Sequence, residues 1–197
     1  MATRIRDRWR NPGQQGSVED GAKALGYICW QLALTSARNL HAEDFVYQDD
    51  RQRVGVIREY LLFLTHVSDR LAYENLTEDQ RLELVPALAH ACATQLHRNS
   101  SEVLGAGDYH QQFIDLVNQR SSDYGQCSFA DGKAGYALLR TFGDKVKAIM
   151  GNDQTNRWVI DQVMDIDGPD LVQRLGKSMK NLFSGGASRG TPPEATA

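Results

Sequence analysis

A strip of polar side chains follows one side of the most apolar stretch of the sequence, residues 54–72. Glu59 and His66 lie seven residues apart in this strip, and Asp69 follows His66 by three. At helical spacing these side chains project on related sides of one helix. Carboxylates and imidazoles on an otherwise apolar helix can bind a metal ion or form a buried ionic network.

A second segment repeats the spacing of seven, with Glu83, His90 and His97. If the two strips face each other, their ligands would meet inside a bundle, as in carboxylate-bridged metal sites. Glu59 and His66 cannot bind one ion together, because seven helical residues rise about 10.5 Å and metal–ligand bonds measure about 2 Å. The candidate metal ligands are His66, Asp69, Glu83 and His90.

The alternative is a buried network of salt bridges and hydrogen bonds, with Arg58 and Arg70 as the available counter-charges. The Glu-x-x-His element of di-iron bundles occurs nowhere in the chain, which favours the network over the metal site. No motif of a catalytic nucleophile or a phosphate-binding loop is present either.

Helical periodicity predicts the element that carries the first strip. Val54, Ile57, Leu61 and Leu64 form one apolar line at spacings of three and four, with a second apolar line beside it. Such a wide apolar arc is typical of a helix enclosed by others. We therefore predict a helix over 50–73 at the centre of an all-α, single-domain bundle of five to seven helices.

Capping signals predict where several other helices begin. Ser17 precedes a helix that runs to about Asn39, and Thr77 with Gln80 has the form of a capping box. Leu82, Val85, Leu88, Ala89, Cys92 and Leu96 are the predicted apolar face of this third helix. Residues 99–108 are predicted to form a loop, followed by a short helix over 109–119.

The C-terminal third is predicted to hold three more helical segments. Ser128–Asp131 is interpreted as the cap of a helix that ends at Met150, and residues 157–165 as a sixth segment. Gly168 and Pro169 suggest a hinge over 167–170, and no strand alternation is expected.

The last predicted helix, over 171–183, is amphipathic with a basic flank. Its apolar side could dock into a groove of a protein partner or lie on an acidic membrane surface, or it could pack back on its own bundle, which we favour. The candidate docking residues are Leu171, Leu175, Met179 and Leu182.

Composition narrows the function classes. The chain has 197 residues and a formal net charge of −3, which gives no general attraction to nucleic acid. Its three cysteines form no CxxC pair, and no apolar run approaches the roughly 20 residues that span a bilayer. We expect a flexible basic arm over 1–16, a helical domain over 17–183, a disordered tail over 184–197 and a cytoplasmic location.

Two functions follow as hypotheses. The first is a non-enzymatic interaction or accessory protein without a resident cofactor, which binds a protein partner or a second copy of itself. The alternative is a metal- or cofactor-binding helical bundle, for example an oxidoreductase, that uses the ligands named above. The absence of catalytic motifs favours the first hypothesis.

Overall fold

The structure, a computed structural model, describes residues 17–151 and 156–183 and confirms the predicted all-α bundle. The described part contains seven α-helices, one π-helical turn and one two-stranded hairpin. Their bounds are α1 Val18–Ala42, α2 Asp50–Asn75, α3 Glu78–Leu104, α4 Tyr109–Gly125, β1 Phe129–Ala130, β2 Lys133–Ala134, α5 Tyr136–Met150, α6 Val159–Gln162, the π-turn Val163–Asp167 and α7 Gly168–Phe183.

Helix α2 is the central element, as its wide apolar arc predicts. It packs against α1, α3, α4, α5 and α7, and its residues 60–65 are all buried. Phe63 stacks on Phe142 of α5 with ring centroids 4.1 Å apart. Asp49 caps the helix by accepting a hydrogen bond from the backbone N–H of Gln52 at 2.7 Å.

Helices α1 and α3 pack closely along their lengths. Both predicted caps are present: Ser17 accepts from the backbone of Asp20, and Thr77 forms a complete capping box with Gln80. A Cβ atom added to Gly26 would lie 2.6 Å from that of Ala91. This glycine therefore permits the close approach of the two helices.

The buried face of α3 differs from the predicted one at its start. Leu82 is 63% exposed, and Leu84 is buried in its place. The buried stripe continues at intervals of four through Leu88, Cys92 and Leu96. Leu82 lies about 200° round the helix from Leu84, since each residue turns the helix by about 100°.

Two helices extend beyond their predicted ends. The loop prediction for 99–108 is wrong over its first half, because α3 continues to Leu104 and ends where Gly105 adopts a φ of 85°. Asn99 donates its side-chain N–H to the Gln95 carbonyl, so this polar residue is compatible with the helix. Helix α4 likewise continues to Gly125 rather than ending at 119, with Tyr124 buried in its last turn.

A β-hairpin replaces the helix start predicted at Ser128. The strands pair Phe129 with Ala134, and the turn between them holds Asp131 at φ 53° and Gly132 at φ 68°. Two successive positive φ angles define the type I′ turn that Asp-Gly sequences favour. The predictions of a helix cap and of no strand are therefore wrong here, and α5 begins only at Tyr136.

The predicted hinge over 167–170 is helical instead. The π-turn runs directly into α7, and Pro169 lies in the first turn of this helix, where its missing N–H costs little. Gly168 is buried against Leu139, and a Cβ there would approach that side chain to 2.6 Å. The small residue thus serves packing. The predicted arm over 1–16 and tail over 184–197 lie outside the described residues.

Candidate functional site

The polar strip of α2 meets α4 in a buried ion pair. Glu59 accepts two hydrogen bonds from the guanidinium of Arg120, at 2.9 and 3.2 Å, and the two side chains are only 2% and 11% exposed. The predicted counter-charges are differently placed: Arg70 donates to the last carbonyl groups of α4, at Tyr124 and Gly125. The network interpretation of Glu59 therefore agrees with the structure, with a different partner.

His66 lies about two helical turns further along the same strip. Its ring meets that of Tyr124 edge-on with centroids 5.0 Å apart. The Nε2 atom of His66 and the hydroxyl of Tyr124 are both buried, and neither has a hydrogen-bond partner among the described residues. Burial lowers the pKa of His66 from 6.5 to about 4, so the imidazole is neutral at pH 7.

The structure does not bring the four predicted metal ligands together. Asp69 forms a 2.7 Å salt bridge with Arg81, while Glu83 and His90 are exposed on α3. His90 stacks instead on His110 of α4, with centroids 5.4 Å apart. Across residues 17–151 and 156–183, no group of three His, Cys, Asp or Glu side chains could hold a metal ion.

The predicted docking residues of α7 lie mostly inside the bundle. Leu171, Leu175 and Met179 are buried, whereas Leu182 is 37% exposed. The helix packs against α1 and α2. This agrees with the interpretation that the apolar side belongs to the chain's own core, so a partner could reach the three buried residues only after α7 detached.

A second buried carboxylate lies at the end of the π-turn. Asp167 accepts hydrogen bonds from the hydroxyl of Tyr60 and, at 3.3 Å, from the side chain of Gln162. Burial raises the pKa of Asp167, and Asp170 and Glu43 raise it further by repulsion. The two hydrogen bonds that it accepts lower the pKa and oppose this shift, but the carboxylate has no salt-bridge partner among the described residues, and the net direction is a raised pKa.

A cleft of about 810 Å³ lies between α1, the start of α2 and the end of α3. Trp30, Ile57 and Leu96 form its apolar floor, and each of them is buried. Arg38 and His41 border the cleft from α1. Pockets that bind small molecules typically measure about 300–1,000 Å³ and combine an apolar lining with a few polar groups, and this cleft has both properties.

A smaller cleft of about 470 Å³ adjoins the first on the side of α4. Ser100 borders both clefts; it is 1% exposed, and its hydroxyl has no hydrogen-bond partner in the part of the chain that the structure describes. Arg58 borders the smaller cleft, and its buried Nε also has no partner within residues 17–151 and 156–183. Burial lowers the pKa of Arg58, yet an arginine side chain stays charged in proteins.

The charges around the two clefts are predominantly positive. Four arginines and two aspartates leave an excess of two positive charges, although the whole chain carries −3. Both carboxylates are engaged: one caps α2, and the other forms a 2.7 Å salt bridge. The charged side chains are Arg38, Arg51, Arg53, Arg58, Asp49 and Asp50.

Ser100, His41 and Asp49 all border the larger cleft, but they do not assemble a catalytic triad. The Ser100 hydroxyl forms no hydrogen bond, and Nδ1 of His41 lies 3.4 Å from the carbonyl oxygen of Phe45. The Asp49 carboxylate accepts from the backbone of Gln52. A triad requires the serine to hydrogen-bond the imidazole and the imidazole to hydrogen-bond the carboxylate, and neither contact is present.

Comparisons of the chain with protein-family models, curated proteins and solved structures give no match. None of the described helices has the length and apolar character needed to cross a membrane. The features that bear on function are therefore the two clefts, the buried ion pair of Glu59 with Arg120, and the buried carboxylate of Asp167.

Proposed function

We propose that this chain is a non-enzymatic accessory protein that binds the apolar part of a small ligand in the cleft between α1, α2 and α3. The observation that carries the proposal is the 810 Å³ cleft with a buried floor of Trp30, Ile57 and Leu96. An aromatic or aliphatic group placed there would remove its own apolar surface, and that of exposed lining residues such as Val103, from water, which favours binding by roughly 25 cal/mol per Å².

The polar groups in the cleft support binding over catalysis, because Ser100, His41 and Asp49 are not hydrogen-bonded to one another. Ser100 and His41 are not connected by a hydrogen bond, and the Asp49 carboxylate is committed to the start of α2. These groups can orient a ligand without activating a nucleophile.

The cleft also supports a small ligand over a protein docked on α7, the site that the sequence suggested. Three of the four candidate docking residues of α7 are buried, leaving Leu182 as the accessible one. Free thiols at Cys29, Cys92 and Cys127 support a reducing location such as the cytoplasm.

The test is a titration with N-phenyl-1-naphthylamine, an uncharged apolar probe that fluoresces in apolar surroundings. We expect saturable binding of one probe per chain. Leu34→Trp, which places a larger side chain at the lining of the cleft, should abolish that binding. Leu82→Trp is the matched control, because Leu82 is 63% exposed on α3 and does not line the cleft.

Circular dichroism and thermal unfolding must show that both variants keep the helical fold. Equal probe binding by wild type and Leu34→Trp would refute the cleft as the site, and the lack of saturable binding by wild type would refute the proposed function.

A further inference from the structure

We infer that the smaller cleft is an anion subsite of the same binding site, so that the ligand is an amphipathic organic anion whose carboxylate, sulfonate or phosphate group lies beside Arg58. This inference rests on the proposed function, since the apolar part of the ligand occupies the larger cleft. It adds the chemical class of the ligand and the residues that would select it.

The two clefts adjoin across a common wall. Four residues border both of them, two from α3 and two at the start of α2. A ligand whose apolar group rests on Trp30 and Leu96 would therefore have its other end at Ser100 and the smaller cleft. The shared residues are Asp49, Val54, Leu96 and Ser100.

Arg58 supplies a charge that has no partner within the described part of the protein. Its neighbour Glu59 is committed to Arg120 by two hydrogen bonds, and the guanidinium of Arg58 forms neither an ion pair nor a hydrogen bond there. Arg58 is partly buried, and its Nε atom is held away from water without an acceptor, which is unfavourable. An anion in the smaller cleft would supply the missing hydrogen-bond acceptor.

Ser100 gives a second, independent indication of a polar ligand group. A serine within a helix commonly donates to the carbonyl four residues earlier, as Ser68 does to Leu64. Ser100 makes no such bond, although it is 1% exposed. Its hydroxyl therefore lacks an acceptor among the described residues, at a position that borders both clefts.

A cationic ligand fits this site less well. Asp49 and Asp50, the carboxylates that border the clefts, already accept from the backbone of Gln52 and from Arg53. Arg38, which borders the larger cleft from α1, adds a further positive charge and has no ion-pair partner among the described residues. Charge complementarity therefore selects an anion.

A pair of probes with the same aromatic body tests the inference. 8-Anilinonaphthalene-1-sulfonate has the body of N-phenyl-1-naphthylamine and one added sulfonate. The sulfonate makes it the more water-soluble probe, so tighter binding of the sulfonate requires a compensating positive group in the site. We expect wild type to bind the sulfonate at least about tenfold more tightly, the effect of one hydrogen bond to a charged group.

Arg58→Gln should remove about tenfold of this preference and leave the affinity for the uncharged probe unchanged. The matched control is Arg98→Gln, because Arg98 is exposed on α3 and borders neither cleft. Added salt should weaken binding of the sulfonate probe and leave binding of the uncharged probe unchanged. Should Arg58→Gln fail to fold, Ser100→Ala supplies the second variant and should reduce the preference several-fold.

The outcomes separate this inference from the proposed function. If wild type binds the uncharged probe but shows no preference for the sulfonate, the anion subsite is refuted and the apolar cleft stands. An unchanged preference in a folded Arg58→Gln variant also refutes the subsite. If neither probe binds saturably, the proposed function fails and the inference fails with it.

Discussion

Replacing Arg120 by methionine should destabilise the protein strongly, because it leaves a carboxylate buried without its counter-charge. Glu59 is 2% exposed and loses both of its hydrogen bonds with Arg120 in this variant. Breaking a buried ion pair from one side costs about 3–5 kcal/mol. Methionine is similar to arginine in helix propensity, so the lost stability measures the ion pair and not a change in helix propensity.

Thermal and urea unfolding measure this loss. For a chain of this size each kcal/mol lowers the melting temperature by about 2–4 °C, which predicts a decrease of about 6–20 °C. Arg140→Met is the matched control: its pair with Asp144 is about half exposed on both sides, and exposed pairs contribute at most about 1 kcal/mol.

The double variant Glu59→Leu/Arg120→Met removes both charges and should recover a large part of the stability lost in Arg120→Met, since a buried pair can often be replaced by apolar residues at little cost. Equal losses for Arg120→Met and Arg140→Met would refute the assignment of a buried pair. A double variant less stable than Arg120→Met would also contradict it.

Three further predictions concern buried polar groups. Ser100→Ala should raise the free energy of unfolding by about 1 kcal/mol, because it removes a buried hydroxyl that has no partner among the described residues. Ser68→Ala should lower the free energy of unfolding, because it loses a hydrogen bond. Urea titrations of the two variants measure both changes. The pKa of His66 is about 4 in the folded protein and 6.5 ordinarily, so the unfolded chain binds the proton first as pH falls. Stability should therefore decrease by about 3 kcal/mol between pH 6.5 and 4, and urea unfolding across this range should show that His66→Gln lacks this part of the decrease. Asp167 has a raised pKa, so its stabilising contribution is present at low pH and is lost as pH rises. Asp167→Asn should therefore have a higher free energy of unfolding than wild type at pH 7. This difference should disappear below about pH 4.

The main helices were predictable because their signals are local. The apolar periodicity of α2 and the capping residues Ser17, Asp49 and Thr77 depend on neighbours within a few positions. The hairpin differs from the prediction although Asp131-Gly132 is itself a local turn signal, because the preceding Ser128 also has the form of a helix cap. The polar residues 99–102 favour a loop, but no helix-breaking residue occurs between them and Gly105.

The candidate site was predictable only in part. Glu59 was recognised as a buried polar residue, but its partner Arg120 is 61 positions away, and no periodicity specifies which arginine a neighbouring helix presents. The clefts form where three helices meet, so their geometry follows from packing that the sequence pattern does not encode. Ser100 could have been noticed from its position four residues after Leu96, on the buried stripe of α3.

Binding of an apolar group in the cleft between α1, α2 and α3 can be observed directly at the tryptophan side chains. The measurement is a ¹⁵N-resolved NMR titration with N-phenyl-1-naphthylamine that follows the tryptophan indole N–H signals. Trp30 lies in the floor of the cleft, whereas Trp158 is 58% exposed and outside its lining; Trp→Phe variants assign the signals. We expect a saturable shift of the Trp30 signal at one probe per chain, with the Trp158 signal unchanged. An unmoved Trp30 signal at saturating probe, or equal shifts of both signals, would contradict it.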